Sequence, residues 1–241
     1  MPARPTVAID EGHPGSPPAD APRPRLTAVV PARNESARIG ATIADLRRWV
    51  DEIVVVDDAS DDATGSIAAA AGATVIRSDG RLGYISAVQR GFRAVPGGIV
   101  VTVDADGEMP VERIPELVAP IASGAADMVQ GHRSAVPRLS ERAVSAIASI
   151  AGPVGDSGTG FRALRADLAR ELEIPGSCIC GTFTLSVMAR GATVAEVAVE
   201  ARRVPGRRRR IAWNHLGQAL LVARMAIRAR RRRVRVRTGP A

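Results

Sequence analysis

The sequence predicts an α/β fold: one domain in which a mostly parallel sheet carries helices on both faces. Three observations predict it. Short apolar runs alternate with stretches of helical periodicity from Leu26 onward, as in parallel strands joined by helices. The 241 residues suffice for one well-buried domain. Polar clusters follow several of the apolar runs, where strands should end. Residues 1–25 hold 7 of the 17 prolines without periodicity, and we expect a disordered leader there.

The first half of the chain predicts four strands, each followed by a helix. The strands are LTAVVPA (26–32), EIVVVDD (52–58), ATVIRS (73–78) and GIVVTVDAD (98–106). Helices are expected where Ile39, Ile43, Leu46 and Val50 recur at helical spacing, and over residues 64–71 and 82–94. Pro110 suits the first turn of the helix after the fourth strand, because that position needs no amide hydrogen.

The second half is less regular. It predicts a strand at 126–133, a helix at 139–151, a Gly-rich stretch at 155–165, a helix at 182–190 and a strand at 193–199. A last helix is expected from Trp213 to about Arg233, because Leu216, Leu220, Ala223 and Ile227 recur at helical spacing. After the leader, we therefore expect a globular domain over 26–211 and a basic, amphipathic helical tail over 212–241.

Arginine is concentrated in that tail. Residues 202–241 hold 14 of the 33 arginines and no acidic residue, whereas residues 1–201 carry 19 arginines against 25 acids. Three interpretations are open: peripheral attachment of residues 206–237 to an anionic membrane, binding of nucleic-acid phosphates, or a solvated basic end. Nucleic acid is the least favoured partner, because the chain has six aromatic residues and none lies beyond Trp213.

The cysteines and the hydropathy predict the cellular compartment of the protein. Cys178 and Cys180 point to opposite faces of an extended chain, so we expect free thiols in a reducing compartment. No apolar run approaches the roughly 20 residues of a membrane span, and the N-terminus lacks a secretory pattern. We expect a cytoplasmic protein, with a peripheral position on the inner face of the membrane as one option.

Polar clusters follow the first, second and fourth strands: Pro31–Glu35, Asp57 with Asp58, and 104–108. Ligands of parallel sheets bind beyond the carboxyl ends of the strands, so these clusters predict one site. Asp104, Asp106 and Glu108 carry hard oxygen ligands suited to Mg²⁺ or Mn²⁺. The alternative, acids at a helix N-terminus, accounts for Glu108 and Glu112 but not for Asp104, which is expected within the strand. One of Asp57 and Asp58 is expected to contact a ligand.

Five motifs carry a resemblance to a known family. They are VVPARNE (29–35), VVVDDASDDAT (54–64), RLGYISAVQRGF (81–92), DADGE (104–108) and SGTGFRALR (157–165). Their order and spacing resemble the family 2 glycosyltransferases of the GT-A fold, especially the dolichol- or polyprenyl-phosphate sugar (mannose) synthases. The resemblance covers about residues 26–211. It implies a GDP- or UDP-sugar donor, a divalent metal, a lipid-phosphate acceptor and inversion at the anomeric carbon.

The resemblance also implies roles for single residues. Donor contacts are implied for Pro31, Arg33, Glu35, Asp57 or Asp58, Asp104 and Arg203, the last in an R-x-x-G loop with Gly206. Asp106 and Glu108 are implied as metal ligands beside Asp104. Acceptor-phosphate contacts are implied for Arg133, Arg142, Ser145 and Arg162. The alternative for the three arginines is that they are plain surface or ion-pair residues. The sequence departs from the family in residues 181–191, which lack an acid, and in GRRRRI (206–211), which replaces a Gly-x-Ser-Lys ending.

The chemistry of the acceptor favours a phosphate on separate grounds. A phosphate monoester is already anionic near neutral pH, so it needs cationic positioning more than a general base. A hydroxyl acceptor needs a base, for which Asp156 is the candidate; Asp104 and Asp106 complete the expected catalytic set. Two alternatives remain: transfer to a hydroxyl of a small molecule or glycan, and a catalytically silent scaffold that binds nucleic acid through its tail.

Overall fold

The computed structural model describes residues 23–134, 139–152, 154–176, 178–202 and 215–237. Most of the predicted leader, together with Arg203 and the loop at 206–211, lies outside the described residues. The strands are β1 Leu26–Ala32, β2 Glu52–Asp57, β3 Thr74–Arg77, β4 Ile99–Thr102, β5 Met128–Arg133, β6 Arg162–Arg165 and β7 Val194–Val199. The helices are α1 Ile39–Leu46, α2 Thr64–Ala70, α3 Tyr84–Ala94, α4 Ile114–Ala122, α5 Leu139–Ala148, α6 Ala166–Glu171, α7 Thr182–Ala189 and α8 His215–Arg237.

The seven strands form one sheet in the order β3-β2-β1-β4-β6-β5-β7, which confirms the predicted fold class. Six strands run in one direction, and β6 alone is antiparallel to its neighbours β4 and β5. The register places Asp57 between Ala32 of β1 and Arg77 of β3. The carboxyl ends of β1, β2 and β3 therefore share one edge of the sheet, and the first polar clusters meet there.

Helices pack on both faces of the sheet, as the near-continuous apolar strands require. On one face, Val30 of β1 belongs to the same cluster as Ile43 of α1 and Leu117 of α4. On the other face, Val29 belongs to a cluster with Phe92 of α3 and Phe183 of α7. Each fully buried aliphatic or aromatic side chain stabilises the fold by about 1.5–3 kcal/mol relative to exposure. The alternation along β1 thus fixes which helices lie on which side.

Three local expectations were wrong. The fourth strand ends at Thr102, where its last residue pairs with Arg162 of β6, so Asp104 lies in the following loop. Pro110 precedes a single 3₁₀ turn at Val111–Arg113, and the proline in the first turn of α4 is Pro115. The Gly-rich stretch ends in β6, which the sequence did not predict. Its four residues are too few for a periodic signal.

The last helix is part of the folded body. Gln218, Val222, Ala226 and Ala229 of α8 are buried, and the three apolar residues among them share a cluster with α5 and α7. The Gln218 side chain donates hydrogen bonds to the carbonyl oxygens of Cys178 (2.6 Å) and Cys180 (3.2 Å). The stripe expected from sequence lies on another side of the helix, since Leu220 is 61% exposed and Ile227 45%. Among the described helices, none combines the length and hydropathy of a membrane span.

Candidate functional site

The loops after β1 and β2 are joined by hydrogen bonds. The Asn34 backbone N–H donates to Ser60 Oγ (3.0 Å), and Asn34 Oδ1 accepts from the backbone N–H of Asp61 (2.8 Å). The Glu35 N–H donates to Thr64 Oγ1 (2.8 Å). Asn34 has a left-handed backbone (φ 56°), a conformation that asparagine tolerates better than most residues. These bonds make the first cluster a defined edge of the site.

The side chains of the first cluster, Pro31–Glu35, differ in how free they are to contact a ligand. Pro31 is buried within β1. Arg33 is partly exposed, and its Nη2 lies 3.6 Å from Asp61 Oδ2. Its Nε has no hydrogen-bond partner among the described residues. Glu35 accepts a hydrogen bond from Arg38 at 3.3 Å. Arg33 is therefore the member of this cluster best able to take a new anionic partner.

The doubled aspartate after β2 divides into two roles. Asp57 is fully buried and accepts from the Ser60 N–H (2.9 Å) and from Arg77 Nη1 (2.5 Å), so it holds its own loop to β3. Asp58 accepts from the backbone N–H groups of Leu82 (2.6 Å) and Gly83 (2.9 Å). Asp57 is structural, and Asp58 connects the site to the loop that begins α3.

That loop supplies Tyr84, a residue that the sequence reasoning missed. Its hydroxyl donates to Asp104 Oδ1 at 2.7 Å. Enclosure of the hydroxyl and then the Asp104 carboxylate raise the pKa of Tyr84 well above its usual value, so it stays a donor. On the other side of Asp104, a Cβ at Gly160 would lie 2.3 Å from the carboxylate, which only glycine permits. The available signal was the motif RLGYISAVQRGF (81–92), to whose tyrosine the sequence analysis gave no role.

Asp106 and Glu108 are buried in the loop after β4, and Asp106 Oδ1 accepts from the Glu108 N–H at 3.0 Å. Among the described residues, no three His, Cys, Asp or Glu side chains form a group that could hold a metal ion. The expected set of Asp104, Asp106 and Glu108 is thus not assembled by the protein alone. Two buried carboxylates fit an ion of the Mg²⁺ or Mn²⁺ type that takes its remaining ligands from phosphate and water.

Arg133 and Asp156 form a buried ion pair. Arg133 Nε donates to Asp156 Oδ2 (2.6 Å) and Nη2 to Oδ1 (3.0 Å), while Nη2 also reaches Glu141 (3.2 Å). Burial alone would raise the pKa of Asp156, but the hydrogen bonds and charge of Arg133 outweigh it and lower that pKa. The carboxylate is therefore a poor general base. The Arg133 guanidinium is directed at these two acids and not at an open anion site.

Two further residues expected at the acceptor lie on α5. Ser145 is buried, and its Oγ accepts from the Ser157 N–H (3.0 Å) and lies 2.9 Å from Ser157 Oγ, so it anchors the Gly-rich loop. Arg142 is exposed, and no carboxylate in the described part of the chain pairs with it. Ser145 thus has a structural role, whereas Arg142 remains available.

Arg162 is the most unusual charge in the protein. It is the largest fully buried side chain, and no carboxylate within the described ranges lies within ion-pair distance of it. Its Nη2 donates to the Ser157 carbonyl (2.9 Å), its guanidinium lies 4.4 Å from the Phe183 ring centre, and its Nε has no hydrogen-bond partner in the described part of the chain. Burial lowers its pKa. An arginine remains cationic even so, and the charges of Asp156 and Asp104 favour that form without lying within ion-pair distance. A buried cation that lacks a direct ionic partner is costly, and an anion that joined it would lower this cost.

The geometry thus brings together one rim with two parts. The first part holds Asp58, Tyr84 and Asp104 around the loops after β2 and β4. The second holds Arg162 at the start of β6. Gly160 of the second part packs against Asp104 of the first, and the Thr102 hydroxyl donates to the Gly160 carbonyl at 2.7 Å. Such a rim can orient a polar ligand and place an anion beside it.

Comparisons with known proteins identify the family of the chain. The family model described as Glycosyl transferase family 2 matches residues 27–191. A dolichyl-phosphate hexose transferase of Haloferax volcanii is 33% identical over 195 residues, which cover 75% of this chain and 84% of that protein. A dolichol-phosphate mannosyltransferase of Pyrococcus furiosus is 29% identical over 172 residues, 62% of this chain and 49% of that protein.

A solved structure extends the likeness to the whole fold. It is the glucosyl-3-phosphoglycerate synthase of Mycobacterium tuberculosis, in complex with Mn²⁺ and uridine-diphosphate-glucose. The two chains superpose with a TM-score of 0.68 at 26% identity, over 84% of this chain and 78% of that one.

Proposed function

The chain belongs to glycosyltransferase family 2, and from this premise we propose that it transfers a sugar from a GDP- or UDP-sugar to a polyprenyl phosphate with inversion at the anomeric carbon. Its fold is the GT-A fold that the resemblance implied. Two similar proteins are named for transfer to dolichyl or dolichol phosphate, which supports the acceptor class.

The observation that carries the acceptor class is Arg162. A buried guanidinium without a carboxylate partner among the described residues is suited to an anion that arrives with the substrate. Asp156, the candidate base for a hydroxyl acceptor, is held by Arg133 instead. A phosphate acceptor requires no base, so the site has what a phosphate needs and lacks what a hydroxyl needs. We assign the acceptor phosphate to Arg162, with exposed Arg142 nearer solvent.

The donor is assigned to the other part of the rim. Asp58 and Asp104 orient the nucleotide sugar, with Pro31, Arg33 and Glu35 along the nucleotide. Arg203, outside the described residues, is proposed at the diphosphate. Asp106 and Glu108 would hold a Mg²⁺ or Mn²⁺ ion, which neutralises the charge of the diphosphate when bound. The Mn²⁺ and uridine-diphosphate-glucose named for the similar synthase support this assignment.

The reaction is a single displacement. An acceptor phosphate oxygen, held by Arg162, attacks the anomeric carbon on the face opposite the nucleotide. The bond between that carbon and the diphosphate oxygen breaks, and its electron pair leaves with the nucleoside diphosphate. The configuration is therefore inverted. No proton has to be removed from the ionised acceptor, and the contribution of the protein is positioning and charge stabilisation.

A lipid acceptor places the reaction at a membrane surface. We propose that residues 206–237 provide peripheral contact with an anionic membrane, on the cytoplasmic side where nucleotide sugars are available to the enzyme. Residues 206–214 of this segment lie outside the described part of the chain.

A second candidate is transfer to a hydroxyl of a phosphorylated small molecule. The similar structure is named for a glucosyl-3-phosphoglycerate product, and Arg162 could hold the phosphate of such an acceptor as well. This candidate requires a base other than the Asp156 carboxylate, because Arg133 occupies it.

The test is a transfer assay with GDP- and UDP-sugars and Mn²⁺ or Mg²⁺. Short-chain polyprenyl phosphate and 3-phosphoglycerate are offered separately, and mass spectrometry identifies the product. The variants are Asp106→Ala and Arg162→Met. The control is Arg165→Gln, on the same strand but exposed and paired with Asp127 and Asp167. Exposed pairs contribute about 1 kcal/mol or less, so the control should fold and retain activity.

We expect metal-dependent glycolipid formation that Asp106→Ala loses. Arg162→Met should lower transfer by about 100-fold, while donor hydrolysis is retained. Product from 3-phosphoglycerate alone would replace the lipid with a small phosphorylated acceptor. Unchanged transfer by Arg162→Met would remove the assignment of the acceptor site. No donor binding at all would contradict the catalytic proposal.

A further inference from the structure

Helix α8 has two apolar sides. The inner side, Gln218, Val222, Ala226 and Ala229, is buried against the body of the protein. The outer side carries Leu220 and Ile227, two of the most exposed large apolar residues, at 61% and 45%. They lie seven residues apart, two turns or about 10 Å along the axis, on the same side of the helix. Leu220 and Ile227 are therefore apolar residues that the packing of α8 on the body leaves largely in water.

Cations flank this outer side. Arg224, Arg228 and Arg230 are exposed, and within the described ranges no carboxylate lies within ion-pair distance of any of them. The helix as a whole contains eight arginines and no acidic residue. The outer side is thus an apolar stripe bordered by uncompensated positive charge. That pattern is typical of a helix lying in the interface of a membrane.

We propose that the outer side of α8, centred on Leu220 and Ile227, docks on an anionic lipid bilayer with the helix parallel to its surface. The positive charge of α8 favours an anionic bilayer over a second copy of the chain as the partner. A second copy of the chain would bring the same arginines against each other, whereas anionic headgroups neutralise them while the stripe leaves water. The inference deepens the proposed function, on which it rests for the reason why the enzyme meets a membrane.

The docked helix is linked to the proposed acceptor site. Gln218 on its inner side donates to the carbonyl oxygens of Cys178 and Cys180. The chain then enters α7, whose Phe183 packs against the Arg162 guanidinium at 4.4 Å. A helix held at the bilayer surface would therefore be connected, through one turn, to the cation that is to hold the acceptor phosphate.

The test is co-sedimentation of the full chain with vesicles of phosphatidylcholine, alone or mixed with phosphatidylglycerol, and without any polyprenyl phosphate. The variants are Leu220→Gln with Ile227→Gln, and separately Arg224→Gln with Arg228→Gln. Ile150→Gln is the matched control, because Ile150 is 44% exposed but lies after α5. Size-exclusion chromatography with light scattering measures self-association of each protein.

We expect binding to the anionic vesicles only. The Leu220→Gln, Ile227→Gln double variant should weaken vesicle binding about tenfold or more, and each arginine replaced should weaken it about fivefold. The control should bind like the parent protein. Binding that ignores both double variants, or that phosphatidylcholine alone supports equally, would overturn the proposal, as would a dimer that the apolar variant dissociates. Transfer to a water-soluble short-chain acceptor is measured in parallel, so loss of docking and loss of catalysis are separable.

Discussion

The two parts of the rim hold their charges in different ways. On the proposed donor side, the part of the rim with Asp58, Tyr84 and Asp104, the two carboxylates accept hydrogen bonds from neutral groups. These are the N–H groups of Leu82 and Gly83 and the hydroxyl of Tyr84. On the proposed acceptor side, Arg133 and Asp156 form a bidentate ion pair with each other. Arg162 is fully buried and has no carboxylate within ion-pair distance among the residues that the structure describes.

The difference shows why charged residues with the same expected role can act differently. A carboxylate held by neutral donors keeps its charge for a ligand, whereas a bidentate ion pair cancels both charges locally. Arg133 and Arg162 illustrate this within the acceptor side. Both follow from the same resemblance, but the first stabilises a loop and the second is available for an anion.

The largest loss of stability is expected for Asp156→Asn, which removes the ion pair with Arg133. Removing one partner of a buried ion pair leaves Arg133 with the more distant Glu141 carboxylate at 3.2 Å, which should cost about 3 kcal/mol of unfolding free energy. Chemical denaturation at pH 7 measures the loss. Arg162→Met is the contrasting variant. It removes a buried charge that has no carboxylate partner in the described structure, so it should change stability little or raise it.

The pH dependence gives a second check on Asp156. Its pKa is lowered in the folded protein, so it contributes stability above the unfolded pKa of about 3.9 that is lost as the pH falls. The difference between the parent protein and Asp156→Asn should therefore shrink below about pH 4. If Asp156→Asn kept its stability and its donor binding but lost transfer, Asp156 would be a base and the hydroxyl acceptor would be favoured.

An intermediate effect is expected on α8, which packs against α5 and α7. Val222→Ala opens a cavity beside Gly181 and the apolar cluster of α5 and α7, and should cost about 2 kcal/mol of unfolding free energy. Leu220→Ala, on the outer side, should change it by less than about 0.5 kcal/mol. Thermal unfolding measures both. Equal losses would mean that both sides of the helix are packed.

The sequence predicted the fold well where periodicity is strong. Six of the seven strands and the long helices were found, because apolar runs and 3.6-residue spacing report burial directly. It did not predict β6 or α6, which have four and six residues. It did not show which side of α8 packs on the body, because Leu220 and Ile227 form the more apolar stripe. Small Ala226 and Ala229 form the packed one.

For the site, the sequence indicated which residues gather at the rim but not how they pair. Motif spacing located Asp58, Asp104 and Arg162. It could not show that Asp57 is used by Arg77, or Asp156 by Arg133, since both pairs join residues some twenty positions apart. The pairing depends on the register of the strands and on the course of the Gly-rich loop, neither of which a local pattern contains.

The smallest effect in activity is expected on the donor side, at Tyr84→Phe. The variant keeps the ring but removes the hydrogen bond to Asp104. A bond to a charged group is typically worth more than one between neutral groups, so kcat/KM should fall about tenfold. Because its pKa is raised, Tyr84 stays protonated across the assay range and the loss should not vary with pH. Ser86→Ala, an exposed hydroxyl on the same helix, is the matched control.

A double-mutant cycle decides whether Tyr84 acts through Asp104. If it does, Tyr84→Phe should cost little in an Asp104→Asn background, and the two losses should not add. Additive losses would mean that the tyrosine contacts the donor by itself. Either result sharpens the contrast within the rim. On the proposed donor side a neutral hydroxyl sets the direction of a carboxylate and leaves its charge intact, whereas on the proposed acceptor side Arg133 neutralises Asp156, the candidate base.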